Sequence, residues 1–134
     1  MSTELKRPTV ALIDDDNVYQ FISLRSLQAI NATRAILQFL NGKEALKYLN
    51  DKVNDPEALP DIIFLDINMP ITDGWMFMDE YKKFKTKLPK KITIYLVSSS
   101  IDQKDIRKAK EIEEITDYIF KPITPEKFSD LLSS

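Results

Sequence analysis

The sequence predicts an α/β domain in which a doubly wound, five-stranded parallel sheet is flanked by five helices. Short apolar runs bounded by turn residues alternate along the chain with segments whose apolar residues recur at helical spacing. The clearest run, residues 62–65, ends abruptly at Asp66 before turn-forming residues, as expected of a strand buried on both faces. With 134 residues, the chain has the length of one domain with its own core.

The predicted elements alternate in a regular order. We expect strands at residues 9–13, 35–40, 62–66, 92–97 and 118–120. Helical periodicity indicates helices at residues 17–30, 43–49, 75–87 and 102–113, and Thr124 with Pro125 predicts the start of a final helix. Residues 1–8 are predicted to be a flexible terminus and residues 53–60 a loop. The right-handed crossover rule then favours a doubly wound sheet.

Composition excludes several classes of chemistry. The chain contains no cysteine and no histidine, which removes disulfides, thiolate and imidazole metal ligands, and histidine general bases. Any metal would therefore be held by oxygen, which favours Mg²⁺, Ca²⁺ or Mn²⁺. The net charge of −2 gives no indication of nucleic-acid binding. Since no signal peptide or membrane-spanning apolar stretch is evident, we expect a cytoplasmic protein with no membrane partner.

Polar residues lie at the ends of four of the five predicted strands. Asp14 and Asp15 follow the first strand, Asp66 ends the third, Ser98 follows the fourth and Lys121 follows the fifth. The carboxyl ends of parallel strands share one edge, and in the order 2-1-3-4-5 the first and third strands are neighbours at the topological switch point. Three carboxylates crowded there would repel one another unless a cation neutralised them.

This constellation is typical of phosphoryl chemistry at a carboxylate. Mg²⁺ suits an all-oxygen site because it retains water and leaves room for a phosphoryl oxygen. Asp66 can serve as a nucleophile that forms an aspartyl-phosphate. Lys121 and the hydroxyl of Ser98 would bind the remaining phosphoryl oxygens.

These residues make the chain resemble the receiver domains of two-component response regulators, the family of the chemotaxis switch protein. The resemblance runs from Thr9 to about Leu132. It implies a flavodoxin-like fold and a single receiver domain over residues 1–134. The motifs that carry it are Asp14-Asp15, Asp66-Ile67-Asn68-Met69-Pro70-Ile71-Thr72-Asp73-Gly74, Ser98-Ser99 and Lys121-Pro122.

The resemblance also implies which residues hold a metal. Asp15 would bind Mg²⁺, or Mn²⁺ in its place, directly, and Asp14 would assist. Asp66 and the backbone carbonyl of Asn68 would complete the protein's share of the ligands. Asp16, the third consecutive acid, is left to cap the following helix.

For the phosphoryl group and the switch, the resemblance assigns four residues. Asp66 would be the phosphoacceptor and Lys121 the phosphate-binding lysine. Ser98 would supply the switch hydroxyl and Tyr118 the switch aromatic ring. Ser99 departs slightly from the family, which usually has an alanine-like residue at that position.

The function implied is a signalling switch rather than a conventional enzyme. A sensor histidine kinase or a histidine phosphotransfer protein would donate the phosphoryl group, since this chain has no histidine. Output contacts in this family are made by the fourth helix, fifth strand and fifth helix. Only two serines follow Leu132, so we expect no output domain and action through an unidentified partner protein.

Two alternatives remain open at this stage. The first is a docking module with the same fold that is never phosphorylated, which the intact set of acids argues against. The second is a phosphohydrolase of the haloacid dehalogenase type, because residues 14–18 resemble its Asp-x-Asp opening and Ser98 its second motif. That class also needs a downstream Gly-Asp motif, and the chain's two glycines, Gly42 and Gly74, do not provide one.

Overall fold

The computed structural model describes residues 7–69 and 71–133 and shows five parallel strands in the order β2-β1-β3-β4-β5. The predicted fold class and strand order are therefore confirmed. The elements are β1 (Thr9–Ile13), α1 (Asn17–Ile30), β2 (Ala35–Phe39), α2 (Gly42–Asp51), β3 (Ile62–Asp66), α3 (Gly74–Phe84), β4 (Thr93–Ser98), α4 (Gln103–Lys110), β5 (Ile115–Phe120) and α5 (Pro125–Leu132).

Both faces of the sheet carry a hydrophobic core, which explains why the central strands are continuously apolar. In β1, Ala11 and Ile13 contribute to the core beneath α2, α3 and α4, whereas Val10 and Leu12 contribute to the core beneath α1 and α5. The alternation follows from the two-residue period of a strand. Phe128 of α5 is fully buried in the second core and meets Phe64 of β3 edge-to-face at 5.1 Å.

Side-chain caps fix where the helices near the sheet edge begin. The carboxylate of Asp16 accepts the backbone N–H groups of Val18 and Tyr19, so the predicted cap of α1 is confirmed. Thr124 caps α5, with Pro125 in the first helical position as expected. These caps satisfy backbone donors that have no partner within the helix.

Three of the sequence-based bounds were wrong by three residues each. We expected the fourth helix to reach residue 113 and the fifth strand to begin at Tyr118, but α4 ends at Lys110 and β5 begins at Ile115. The polar pair Thr116 and Asp117 concealed the start of β5, which is an edge strand with solvent on one side and a register shift against β4. The third helix also ends early, at Phe84, and a short 3₁₀ turn, Lys85–Lys87, follows it.

Two further predictions concerned a flexible N-terminus and the absence of a membrane-spanning segment. Of the terminus predicted to be flexible, residues 1–6 lie outside the described residues, as does Pro70 in the loop after β3. Among the helices of residues 7–69 and 71–133, none has both the length and the apolar character needed to cross a membrane.

Candidate functional site

Two aspartates meet where β1 and β3 end side by side. Asp14 directly follows β1 and Asp66 is the last residue of β3, and each is only 4% exposed. Asp15 is exposed beside them. One carboxylate oxygen from each of the three residues lies within 4.8 Å of the other two. The predicted acidic cluster is thus brought together at the expected edge of the sheet.

Lys121 enters this cluster from the loop after β5. Its Nζ lies 2.7 Å from Oδ2 of Asp14 and 3.3 Å from Oδ1 of Asp66. The side chain is 18% exposed, so both ion pairs lie largely out of water. A buried cation between two buried carboxylates offsets the repulsion that they would otherwise exert on each other.

Burial and the attraction between opposite charges act in opposite directions on the pKa values of Asp66 and Lys121. Burial, followed by the charge of Asp14, raises the pKa of Asp66 from 3.8 to about 6, although Lys121 and the N–H of Asn68 partly counteract the rise. Burial alone would lower the pKa of Lys121, but its hydrogen bond to Asp14 and the negative charges of Asp66 and Asp14 outweigh burial and raise it. Lys121 therefore stays cationic at neutral pH.

Gln20 of α1 holds the end of β1 in place. Its side-chain Nε2 lies 3.0 to 3.1 Å from three backbone carbonyl oxygens, those of Leu12, Asp14 and Phe39. Its own amide oxygen accepts a hydrogen bond from Gln38 at 2.9 Å. This buried amide supplies donors to carbonyls at the ends of β1 and β2, where buried groups need partners, and so orients the Asp14 backbone.

Gly74 allows α3 to begin directly against the end of β3. A Cβ atom at this position would lie 2.9 Å from both the Asp66 carbonyl oxygen and the Ile67 Cα. Real Cβ atoms do not approach backbone so closely, so a side chain here would displace the strand end that carries Asp66. The backbone N–H of Gly74 also donates to the Ile67 carbonyl at 2.9 Å. Gly74 is therefore required for the close packing of α3 against the strand end under the site.

Ser98 is fully buried at the end of β4, and its hydroxyl is engaged within its own loop. Its Oγ accepts the backbone N–H of Ser100 at 2.9 Å, and its carbonyl accepts the backbone N–H of Lys121 at 2.9 Å. The hydroxyl of Tyr118 donates to the Ser100 carbonyl at 2.9 Å. Ser100 therefore connects the two predicted switch residues, and its own hydroxyl donates to Asp105 of α4 at 3.1 Å.

Asn68 lies two residues beyond Asp66 and is exposed. Its backbone N–H lies beside the Asp66 carboxylate and partly counteracts the rise in the pKa of Asp66. The role of its carbonyl as a further metal ligand stays a prediction.

The donor set fits Mg²⁺. Asp14, Asp15 and Asp66 offer oxygen ligands only, and three oxygens within 4.8 Å of one another are close enough to share one small cation. The solvent exposure of Asp15 leaves one side of the cluster accessible to water. Four of the predicted site residues form the centre: Asp14, Asp15, Asp66 and Lys121. Ser98 and Tyr118 lie beside it and each hydrogen-bond to the backbone of Ser100.

Sequence reasoning missed two residues that the structure places at the site. Tyr19 lies beneath the ammonium group of Lys121, and Gln20 binds the strand ends. The sequence does place Tyr19 and Gln20 within six residues of Asp14. No pattern in the sequence indicates that both turn toward the sheet edge.

Comparisons with known proteins identify the family. A solved two-component response regulator from Cytophaga hutchinsonii shares 29% identity with a TM-score of 0.85, over 96% of each chain. The probable methanogenesis regulatory protein FilR2 of Methanothrix harundinacea is 25% identical over 91% of this chain and 75% of its own length. The sensor histidine kinase CheAY of Helicobacter pylori is 31% identical over 87% of this chain but only 13% of its own length. The model of the response regulator receiver domain matches residues 10–133, and the chain therefore belongs to the family of response regulator receiver domains.

Proposed function

We propose that this chain is a phosphorylation-controlled switch of a two-component relay, with Asp66 as the phosphoacceptor. The observation that carries the proposal is the position of the Asp66 carboxylate, buried at a strand end beside Asp14 and Asp15 and 3.3 Å from the Lys121 ammonium. The donor would be a phosphohistidine of a sensor kinase or of a histidine phosphotransfer protein. The receiver family acts as a signalling phosphoacceptor, and we propose no separate enzymatic activity.

In the proposed reaction an oxygen of Asp66 bonds to phosphorus while the bond between phosphorus and the donor's imidazole nitrogen breaks. Asp66 must be deprotonated for this attack, and its pKa of about 6 leaves it a carboxylate at neutral pH. Mg²⁺ held by Asp14, Asp15, Asp66 and the Asn68 carbonyl would supply positive charge to the transferring group. Lys121 would bind a phosphoryl oxygen with the ammonium that now contacts both carboxylates.

The proposed switch uses the loop between β4 and α4. A phosphoryl group on Asp66 offers the proton of the Ser98 hydroxyl a charged acceptor, and rotation of the side chain toward it would move the Oγ atom away from the Ser100 N–H that it now accepts. Movement of Ser100 would also disturb its carbonyl contact with Tyr118 and its hydroxyl contact with Asp105. The event is a local change of charge that biases the start of α4 and the side chain of Tyr118.

We propose that a downstream protein recognises the face formed by α4, β5 and α5. A groove between α4 and β5 is lined by Ile106, Tyr118 and Phe120, and Phe120 is 47% exposed. Tyr118 contacts Phe120 edge-to-face at 5.4 Å. A change at Tyr118 would therefore alter an apolar surface that is available to a partner.

Intact-mass measurement after incubation with acetyl phosphate and Mg²⁺ tests the phosphoacceptor. We expect one phosphoryl adduct in the wild type, none in Asp66→Asn, and none when a chelator removes the divalent cation. The matched control is Asp79→Asn, an exposed carboxylate on α3, which should still form the adduct.

Two outcomes would contradict this assignment. No adduct in the wild type under rapid quenching and excess donor would favour the unphosphorylated docking module. An adduct that persists in Asp66→Asn would assign the acceptor to another carboxylate. The hydrolase alternative predicts turnover of a phosphate ester that survives Asp66→Asn but not Asp14→Asn, and the family match over residues 10–133 speaks against it.

Backbone amide NMR spectra with and without beryllofluoride and Mg²⁺ test the output face. We expect shifts not only at the site but also at residues 99–106 and 115–120, because the Ser100 contacts join these segments to Ser98. Asp66→Asn should show none of the distant shifts. Changes confined to the neighbours of Asp66 would mean that phosphorylation is not transmitted to this face.

A further inference from the structure

Tyr19 provides a contact to Lys121 that is independent of the carboxylates. The Nζ atom of Lys121 lies 4.3 Å from the centroid of the Tyr19 ring. The same ammonium group contacts Asp14 at 2.7 Å and Asp66 at 3.3 Å. An ammonium within about 6 Å of a ring centroid is attracted by the negative face of the ring, and more strongly where water is excluded.

The position of the ring is fixed by the start of α1. Tyr19 lies in the first turn, where its backbone N–H donates to the carboxylate of the cap residue Asp16 at 3.2 Å. Its side chain is half-buried and, together with Asp14, Asp66 and Ile123, lines a small cavity beneath the site. The ring therefore belongs to a packed element, whereas Lys121 reaches the site on a flexible stem of four carbons.

An aromatic ring is better suited than another carboxylate to hold the Lys121 ammonium in place. The ring face attracts the cation without adding a negative charge that would oppose an incoming phosphoryl group. In the proposed function Asp14 and Asp66 would help to hold Mg²⁺, and Asp66 would also bond to phosphorus, so their attraction for Lys121 would weaken during the reaction. The contact with Tyr19 involves neither the metal nor the phosphoryl group.

We propose that Tyr19 is a positioning residue, whose ring holds the Lys121 ammonium beside Asp66 while the carboxylates exchange Lys121 for Mg²⁺ and the phosphoryl group. This inference rests on the proposed function for its consequence, but the placement of Lys121 over the ring stands on the geometry alone. The element that matters is the aromatic face, so Tyr19→Phe should retain the effect and Tyr19→Leu should lose it.

Proton NMR of Lys121 tests the placement without any reaction. A ring beneath the ammonium shields neighbouring protons, so we expect the ε-methylene protons of Lys121 to resonate upfield of other lysines in the wild type and in Tyr19→Phe. In Tyr19→Leu this upfield displacement should disappear. Unshifted Lys121 protons in the wild type would overturn the proposal, whatever the stability of the variants.

Saturation kinetics with acetyl phosphate and Mg²⁺ test the consequence. We expect Tyr19→Leu to lower the maximal rate of phosphorylation about three- to thirty-fold, and Tyr19→Phe to stay within about twofold. The matched control is Tyr48→Leu, because Tyr48 is also half-buried with a lysine, Lys52, 5.9 Å from its ring centroid, but lies on α2. It should leave the rate unchanged.

A double-mutant cycle separates positioning from a general structural role. If Tyr19 acts through Lys121, Tyr19→Leu should have no further effect on the rate in a Lys121→Met background. An equal loss with and without Lys121 would overturn the proposal, as would a full rate in Tyr19→Leu. A wild type that takes up no phosphoryl group would instead refute the proposed function, while the NMR displacement would still report whether the ring holds Lys121.

Discussion

Replacing Lys121 by methionine is expected to reduce the rate of phosphorylation of Asp66 by about 10²- to 10³-fold. Methionine keeps much of the length of the side chain but removes the ammonium that contacts Asp14 and Asp66. Because this charge is already in place and largely shielded from water, losing it removes stabilisation that solvent does not replace. Single-turnover kinetics with acetyl phosphate at saturating Mg²⁺ would measure the effect.

The same substitution should also destabilise the protein in the absence of Mg²⁺. It leaves two buried carboxylates facing each other without a cation, and breaking a buried pair in this way typically costs about 3–5 kcal/mol. Added Mg²⁺ should restore part of the loss, because it binds the folded cluster and not the unfolded chain. Urea unfolding at neutral pH, with and without Mg²⁺, measures both effects.

Lys47→Met is the control for this comparison. Lys47 forms an ion pair of the same 2.7 Å length with Asp51, but on the exposed surface of α2. Water screens such pairs, so we expect no measurable change in stability or in phosphorylation rate. Equal effects of Lys121→Met and Lys47→Met would show that burial of the cluster is energetically unimportant.

The substitution Asp66→Asn is expected to stabilise the metal-free protein at neutral pH while it abolishes phosphorylation. Burial, with a smaller contribution from Asp14, raises the Asp66 pKa from 3.8 to about 6. This rise in pKa means that ionisation of Asp66 destabilises the folded state by roughly 3 kcal/mol. The raised pKa already includes the attraction of Lys121, and solvent screens part of the charge, so we expect uncharged asparagine to give a gain of about 1–3 kcal/mol.

The direction in which stability changes with pH also tests this expectation for Asp66. Between pH 3.8 and about 6 the folded protein holds a proton on Asp66 that the unfolded chain has released, so this group lowers stability as the pH rises through that window. The advantage of Asp66→Asn should therefore be absent near the lower limit of the window and complete above its upper limit. Mg²⁺ should reverse the order by favouring the carboxylate of the wild type.

Urea unfolding of the wild type and Asp66→Asn across this pH range provides the measurement. The control is Asp79→Asn, which removes an exposed carboxylate of α3 and should change stability at neutral pH by less than about 0.5 kcal/mol. A destabilised Asp66→Asn at neutral pH without Mg²⁺ would contradict the expectation, because it would mean that Lys121 stabilises the carboxylate more than burial disfavours it.

The sequence was most informative where one physical requirement governs a whole segment. Burial on both faces makes β1 and β3 continuously apolar, so the end of each run, at Asp14 and Asp66, could be located directly. Parallel pairing then places these ends on one edge. The edge strand β5 lacked this signal, since half of its side chains face solvent, and its first three residues were missed.

Side-chain contacts between distant segments could not be predicted in the same way. In the sequence, nothing distinguishes Gln20 from the other polar residues of α1, or Tyr19 from an ordinary aromatic residue in a helix. Only the packing of α1 against the sheet places the Gln20 amide on the strand-end carbonyls and the Tyr19 ring under Lys121, a residue more than one hundred positions away.

The sequence by itself determined the class of fold and the acids and lysine that lie at strand ends, because periodicity and strand ends are local properties of the chain. Tertiary structure decided how these groups interact. The ion pairs of Lys121, the raised pKa of Asp66 and the engagement of the Ser98 hydroxyl by Ser100 depend on distances and burial. Those quantities arise only when separate segments pack together and water is excluded between them.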